Sequence, residues 1–483
     1  MKLALVLHLL GRLLLGLALI LLLPLGIALA TRGGDALAFG VSALITAVVG
    51  GILVLAAPFG KGEELGHREG FAIVTFAWVF AAAFGGLPFY LSGTTPTYTD
   101  AYFEAMSGFT TTGATIISRI EGLPPATLLW RGFTQWVGGL GIIVLSLAIL
   151  PALGVGGMQL YKAEAPGPVV DRLAPRIRET ARRLWRVYVL ISAAELALLL
   201  GGGMSWLDAL AHTFTTTATG GFSTRDASIG AYGSAYFDGV IAVFMFLAGA
   251  SFALHYHALR GDVHGYRRNP EFLLYAAVLV GATGLVTGTL WLSGTYGSLP
   301  EALRYAAFQT VSIATTTGYA TADYDRWPAL AQGFLFLLMF LGGCAGSTAG
   351  AIKYIRVLLM VKRAQAQLFK LAHPRAVVVV RLGDRQVSDE ILNGVQGFLL
   401  LYLGIYALAT LAVTAFGPDL LSALAAVAAT LGNVGPGLGV VGPTQTYAPL
   451  PLTVKWILSA CMLLGRLEIF TVLVLLSPAI WRK

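Results

Sequence analysis

Hydrophobic residues in this chain come in long continuous stretches, without the every-other-residue alternation of a β-barrel strand. A helix needs about 20 apolar residues to cross a bilayer core of about 30 Å. Runs of that order occur at 13–30, 36–58, 71–91, 130–151, 184–200, 237–259, 272–292, 329–361, 398–416 and 452–476. They predict an all-α integral membrane protein with no more than twelve crossings and both ends on one side. The first run ends in Ala28-Leu29-Ala30, which resembles a signal-peptidase site. Because Arg12 and His8 interrupt a long apolar lead, a retained helix is expected.

Shorter runs lie between some of these spans, and four of them share a plan. The first, 98–112, rises only about 22 Å as a helix, so it should enter the membrane and turn back. Thr97 with Asp100 and Ser205 with Asp208 form helix-start signatures sixteen residues before Gly113 and Gly221. Ser298 with Glu301, and Pro300 in the first turn, stand ahead of Gly318, and Gly417-Pro418-Asp419 opens the fourth run ahead of Gly435. The four runs end in related segments: TTTGAT at 110–115, TATGGFST at 217–224, TTTGYAT at 315–321 and TLGNVGPGLG at 430–439. Intervals close to one hundred residues are too long for a solenoid and fit a duplicated membrane unit. The fourth copy, with Asn433 and Val434, is the least similar.

Composition agrees with the spans: 57% of residues are hydrophobic and 12% charged. The net charge of +8 sits in short loops, chiefly 161–186, 260–268 and 362–385, as topology signals expect, and these loops mark the cytoplasmic side. No nucleic-acid groove is implied. The opposite side holds Asp100, Glu104, Glu121, Asp208, Asp226, Asp238, Glu301, Asp323, Asp325 and Asp419, an acidic mouth expected to concentrate cations. Cys344 and Cys461 both lie in apolar runs and offer no disulfide framework or metal-ligand spacing. H-E-x-x-H and G-x-S-x-G are absent, so no enzyme is expected.

Non-helical backbone at membrane depth must be buried in protein or line a watery cavity. Four such loops on one axis would present carbonyl oxygens in place of a cation's hydration shell, with the helix C-termini aiming partial negative charge at the same point. The predicted selectivity filter is Thr111, Thr112 and Gly113; Thr219, Gly220 and Gly221; Thr316, Thr317 and Gly318; and Asn433, Val434 and Gly435, with K⁺ held at their carbonyls. Glycine supplies backbone conformations with positive φ, and threonine can satisfy backbone donors in a dry place.

These residues, with TGGFST at 219–224, GNVGPGLG at 432–439, GGCAGSTAG at 342–350 and LLGRLEIFT at 463–471, resemble the pore subunit of the Trk/Ktr/HKT superfamily of potassium uptake proteins, most closely its TrkH branch. The resemblance covers essentially the whole chain. It implies two leading helices at 1–68 and four membrane-pore-membrane repeats, at 69–160, 161–268, 269–385 and 386–483, around one pseudo-fourfold ion path. It further implies a homodimer in the bacterial cytoplasmic (inner) membrane, with both termini cytoplasmic. A cytoplasmic nucleotide-binding ring of the TrkA type is expected as regulatory partner, and no covalently bound cofactor is expected. In that family a glycine in every loop goes with potassium selectivity, and a serine in the first goes with sodium transport in some plant members. Here all four are glycine, so K⁺ and Rb⁺ are expected to pass more readily than Na⁺.

The same resemblance makes the glycine-rich stretch a gate below the filter: Gly342, Gly343, Cys344, Ala345, Gly346, Ser347, Thr348, Ala349 and Gly350, followed by Lys353. Alone, the stretch reads equally well as a small-residue face for close helix packing. Arg466 stands about halfway along the last run, where a charge is costly, and residues two apart do not face each other on a helix, which argues against a pair with Glu468. Arg466 is expected to face the ion path or the gate. Glu104 and His212 are expected to be hydrogen-bonded supports of the loops. The alternative within transport is a proton- or sodium-coupled cation symporter.

Overall fold

The structure is a computed structural model that describes residues 2–57, 66–148, 173–383 and 385–481. The end of the predicted span 130–151 and much of the basic loop 161–186 lie outside the described residues.

Two long helices lead, α1 (Leu3–Ala30) and α2 (Ala36–Ala56), packed side by side. Gly11 and Gly50 let their backbones approach, since a Cβ on Gly11 would come within 2.8 Å of the Gly50 carbonyl oxygen. Four units follow, each an outer helix, a short re-entrant helix and an inner helix. The first has α3 (His67–Gly85, extended by Leu87–Leu91), α4 (Tyr98–Phe109) and α5 (Pro125–Ala148). The second has α6 (Leu173–Gly201), α7 (Trp206–Thr217), α8 (Ala235–Gly249) and α9 (Phe252–Leu259). The third has α10 (Pro270–Leu292), α11 (Leu299–Ala314), α12 (Ala329–Leu338) and α13 (Tyr354–Ala372). The fourth has α14 (Asp389–Thr414), α15 (Leu420–Leu431), α16 (Leu452–Arg466) and α17 (Phe470–Leu476). Two small strand pairs occur, one parallel between Leu341–Gly342 and Ile352–Lys353 and one antiparallel between Arg381–Leu382 and Arg385–Gln386.

Among the described residues six helices are long and apolar enough to cross a membrane, or up to eight if each bent pair counts as one. Apolar side chains cover the outside as well as filling the interior. Leucines on the outside stay open, among them Leu37 at 78% and Leu292 at 81%, while threonines 110–112, 215–217 and 315–317 are almost fully enclosed. An apolar rim around a polar centre suits a lipid surround. The chain is a multi-pass, all-α membrane protein with four repeats about one pseudo-fourfold axis.

Three inner spans that read as single apolar runs are broken. The 237–259 run bends by 101° between α8 and α9, and the 452–476 run by 116° between α16 and α17. In the third unit a loop separates α12 from α13. These breaks leave carbonyl groups without helical partners, and other repeats use them. Gly249 O accepts from Cys344 N at 2.8 Å, and Ala248 O accepts from the Thr348 hydroxyl at 3.3 Å.

Candidate cation path

Each re-entrant helix starts with the predicted cap. The side chains of Thr97, Ser205, Ser298 and Asp419 accept from the backbone N–H three residues on. Their other ends are also alike. A residue in the left-handed region follows the C-cap: Thr111 (φ 51°), Thr219 (53°), Thr316 (55°) and Asn433 (53°). The next N–H then reaches back across the last turn, Thr112 to Ser107 O at 2.8 Å, Gly220 to Thr215 O at 2.8 Å, Thr317 to Ser312 O at 2.9 Å and Val434 to Ala429 O at 2.7 Å. This is the Schellman closure, which usually takes glycine at the left-handed position. A β-branched residue there costs about 1–2 kcal/mol, and the chain accepts it three times. Asparagine enters the left-handed region more easily than threonine, so Asn433 suits its place, and the least similar loop has the same backbone as the other three.

The residue after next is left-handed again: Gly113 (81°), Gly221 (77°), Gly318 (80°) and Gly435 (100°). A Cβ on any of them would meet a carbonyl oxygen of the neighbouring loop at under 3.0 Å. Gly113 abuts Gly220 O, Gly221 abuts Thr317 O, Gly318 abuts Val434 O, and Gly435 abuts Thr112 O. The four loops therefore close a ring in sequence order, with each glycine fitted against the residue that precedes the next glycine. Two separate constraints, positive φ and backbone contact, exclude a side chain at these positions.

Support for the ring lies nine residues before each glycine. Glu104 Oε2 accepts from Ile116 N at 3.0 Å, and Gln309 Oε1 accepts from Thr321 N at 3.1 Å. At the matching place His212 pairs Nε2 with Ser223 Oγ at 3.0 Å and Nδ1 with Asp208 O at 2.7 Å. Ala426 holds the fourth position, and there Tyr447 donates its hydroxyl to Gly435 O at 2.8 Å. Glu104 and His212 are thus placed as supports, as expected. Sequence reasoning missed three others. Gln135 grips the second loop, donating to Gly220 O at 2.7 Å and accepting from Phe222 N at 3.1 Å. Tyr447 is the second. Arg131 is the third, with Nε 2.9 Å from Glu104 Oε1. The signals available were a charge at the head of the 130–151 run and the repeated polar position nine before the glycine.

A cavity of about 140 Å³ opens over the ring, lined by all four glycines and by Arg131, Arg225 and Asp226. The acids expected to form a cation-concentrating mouth are half neutralised. Asp100 pairs with Lys455 at 2.6 Å, Glu104 with Arg131 at 2.9 Å, Asp208 with Arg225 and Asp238 with Arg304 at 2.7 Å, and Asp323 with Arg326 at 3.0 Å. Four of these pairs enclose the carboxylate in protein, where a bare charge is too costly to leave. The carboxylate lining the cavity is Asp226, whose Oδ1 accepts from Ile120 N at 2.6 Å.

On the other side of the ring, residues 343–351 form a buried loop between the two parallel strands. It is fastened directly to the second, third and fourth repeats. Thr348 Oγ1 donates to Thr217 O at 3.1 Å, and Gly350 N donates to Thr316 Oγ1 at 2.7 Å. Gly350 packs on Gly432 O, leaving no room for a Cβ. Glu271 Oε1 accepts from Ala345 N at 2.7 Å and from Ile355 N at 3.0 Å, stapling both ends of the loop to α10. The Lys353 ammonium donates to Ala349 O inside the loop, although a lysine at this point could have reached for the interface. Cys344 is a buried free thiol, and Ser347 donates to its carbonyl oxygen at 2.6 Å.

Arg466 ends α16, beside the break, where the 452–476 run had placed it mid-helix. Its guanidinium is 2% exposed and donates to Thr348 O at 2.7 Å and to Gly138 O at 3.1 Å. It therefore ties the loop to the inner helices of the first and fourth repeats. Glu468 pairs with Arg356, not with Arg466.

The family model described as TrkH, cation transport protein, matches residues 42–483. The Trk system potassium uptake protein TrkH of Salmonella typhimurium is 45% identical over 466 residues, covering 96% of each chain. The protein of that name from Halomonas elongata is 43% identical over 486 residues, with 100% of each covered. Among solved structures, the potassium transporter TrkH from Vibrio parahaemolyticus matches with a TM-score of 0.92 and 38% identity, each chain covered to 100%. With a ring of four matched loops, a buried loop beneath it and these likenesses along its length, the chain belongs to the TrkH family of cation transport proteins.

Proposed function

We propose that this chain carries potassium uptake across the bacterial cytoplasmic membrane. In this reading the four-loop ring is the selectivity filter, K⁺ resting against the carbonyls of 111–113, 219–221, 316–318 and 433–435. The observation that carries the reading is the closure of the ring by four left-handed pairs in cyclic contact. Replacing a cation's hydration shell calls for oxygens held at fixed spacing from several sides, and a ring closed by backbone contact supplies that. The relatives' names as potassium uptake proteins point to the same ion.

The loop 342–350 with Lys353 and Arg466 is the gate in this proposal, since it lies under the ring and is fastened to it through Thr316. A cytoplasmic TrkA-type nucleotide-binding ring acting on a homodimer would bias the gate through the basic loops, with both termini on that side. The repeats are taken as 69–160, 161–268, 269–385 and 386–483.

Coupled symport draws on one observation. Glu195 is fully buried in α6, accepts from Thr217 Oγ1 at 3.3 Å, and its Oε1 has no hydrogen-bond partner among the described residues. An intramembrane carboxylate of this kind is a proton-site candidate. Radioactive rubidium flux into liposomes holding the purified protein separates the readings. Uptake down the rubidium gradient, blocked by K⁺ and not by Na⁺, is expected. Uptake that requires an imposed proton or sodium gradient would replace the channel reading with the symporter.

A further inference from the structure

Each corner of the ring is cross-linked on the cavity side, and one corner carries an added arginine bridge. The second and third loops are joined by Gly230 N to Ala320 O at 3.0 Å, and the third and fourth by Gly439 N to Asp325 Oδ1 at 3.1 Å. Tyr447 N to Thr115 O at 2.9 Å joins the fourth to the first. The first and second are joined by Ile120 N to Asp226 Oδ1 at 2.6 Å and, in addition, by an arginine. Arg131 gives Nε to Glu104 at 2.9 Å, Nη2 to Thr115 Oγ1 at 3.2 Å and Nη1 to Ser223 O at 2.9 Å, with its guanidinium 4.3 Å above the Phe222 ring. Thr115 and Ser223 stand two residues past Gly113 and Gly221, so one rigid fork holds equivalent points of adjacent loops.

We infer that Arg131 is a specificity-determining positioning residue for cation permeation, setting the separation of the first two loops while Glu104 cancels its charge at the cavity wall. The inference rests on the filter reading above. The planar guanidinium holds three acceptors in fixed directions, which a flexible ammonium cannot do. Loosening this corner lets the two loops close on a smaller cation, so discrimination against Na⁺ falls. Glu104 has the second task. Arg131 lines the cavity directly over the glycines, and without its carboxylate partner it would present a positive charge to every incoming cation. The second loop has its own cation at the cavity wall, Arg225, and pairs it with Asp208, so both arginines lining the cavity have a carboxylate partner.

Rubidium influx into proteoliposomes, with K⁺ or Na⁺ as competitor, tests the inference. Wild-type flux blocked by K⁺ and not by Na⁺ checks the filter reading by itself; a wild type that fails to discriminate sinks that reading, and this inference with it. R131K, which keeps the charge but not the fork, should admit Na⁺ about tenfold better relative to Rb⁺, as expected when hydrogen bonds to a charged group are lost. E104Q should raise the KM for rubidium, and the rise should shrink as ionic strength increases because mobile ions entering the cavity screen an unpaired charge in its wall. R131Q should show the larger loss of discrimination. If R131Q yields no folded protein, R131K carries the test. A purely structural pair would lower the amount of folded transporter while leaving the Na⁺/Rb⁺ ratio and the salt dependence of KM at wild-type values in both R131K and E104Q, and that result would overturn the proposal.

Discussion

The ring of loops and the layer beneath it are built from the same four repeats, yet they treat that ancestry in opposite ways. In the ring every repeat contributes one left-handed pair, one helix cap and one reach-back hydrogen bond. In the layer below, the first inner helix runs unbroken to Ala148, the second and fourth bend by 101° and 116°, and the third opens into a loop. An ion on the axis meets all four sides at once, so equivalent oxygens favour equivalent loops. A movable plug needs one element that leaves and others that hold it, so equivalence there has no use. Symmetry is kept in the part proposed to stay fixed, and it is lost in the part proposed to move.

The hardest way to break the comparison is to spoil one quarter of the ring. Gly113→Ser introduces a side chain at φ 81° against the Gly220 carbonyl. The left-handed cost alone is about 1–2 kcal/mol, roughly tenfold in an equilibrium. K⁺ preference over Na⁺ in flux assays should collapse by at least that factor, and unchanged selectivity would deny the ring its role. Next in size, deleting 344–347 should give a transporter that conducts without its activator; no rise in basal flux would remove the gate. Arg466→Ala leaves Thr348 O and Gly138 O without their charged donor, and hydrogen bonds of that kind are worth about 1.5–3 kcal/mol each. Leak conductance should rise roughly tenfold or more, whereas lower protein abundance at unchanged leak would make Arg466 a structural tie only.

Two milder changes sharpen the contrast. Thr316→Val keeps the shape of the third loop but removes the acceptor of Gly350 N, leaving a buried N–H that costs about 1–3 kcal/mol. Basal flux should rise with ion preference intact, because the change removes a side-chain link to the loop while leaving the ring's carbonyl oxygens in place. Asn433→Thr makes the fourth loop resemble the rest. It removes the Nδ2 bonds to Thr112 Oγ1 at 3.0 Å and Met462 O at 2.9 Å, at about 1 kcal/mol each. A small drop in melting temperature with wild-type selectivity is expected, and a change in selectivity would show that the fourth loop is not equivalent to the other three.

The ring was legible in the sequence because its requirements are local. A cap residue, a polar-spotted apolar run and a glycine sit within about one helix length of each other, and the pattern recurs. What remained hidden depends on distant partners. Ala250-Ser251 and Leu467-Glu468-Ile469 carry neither proline nor a glycine pair, yet the inner helices break there; at the first break the freed Ala248 and Gly249 carbonyls find donors in the third repeat. Arg131 was invisible for the same reason. Its acceptors Glu104, Thr115 and Ser223 come from three segments, and an arginine near the head of an apolar run reads as an interfacial anchor. The acidic mouth was overcounted because counting carboxylates ignores the cations that fold beside them. The loop 342–350 was found as a glycine-rich interruption, while its fastening to Glu271 and Thr316 followed only from the packed structure.

A ring drawn from one polypeptide has a seam, and here it joins the fourth loop to the first through Tyr447 on Thr115 and Asn433 on Thr112. The ribosome delivers Asn433 and Tyr447 long after Thr112 and Thr115. Until the final quarter of the chain enters the bilayer, the first three loops form an open arc with no enclosed conduit. Closure of the ring, and of any filter it forms, therefore waits on the last part of the chain to be made.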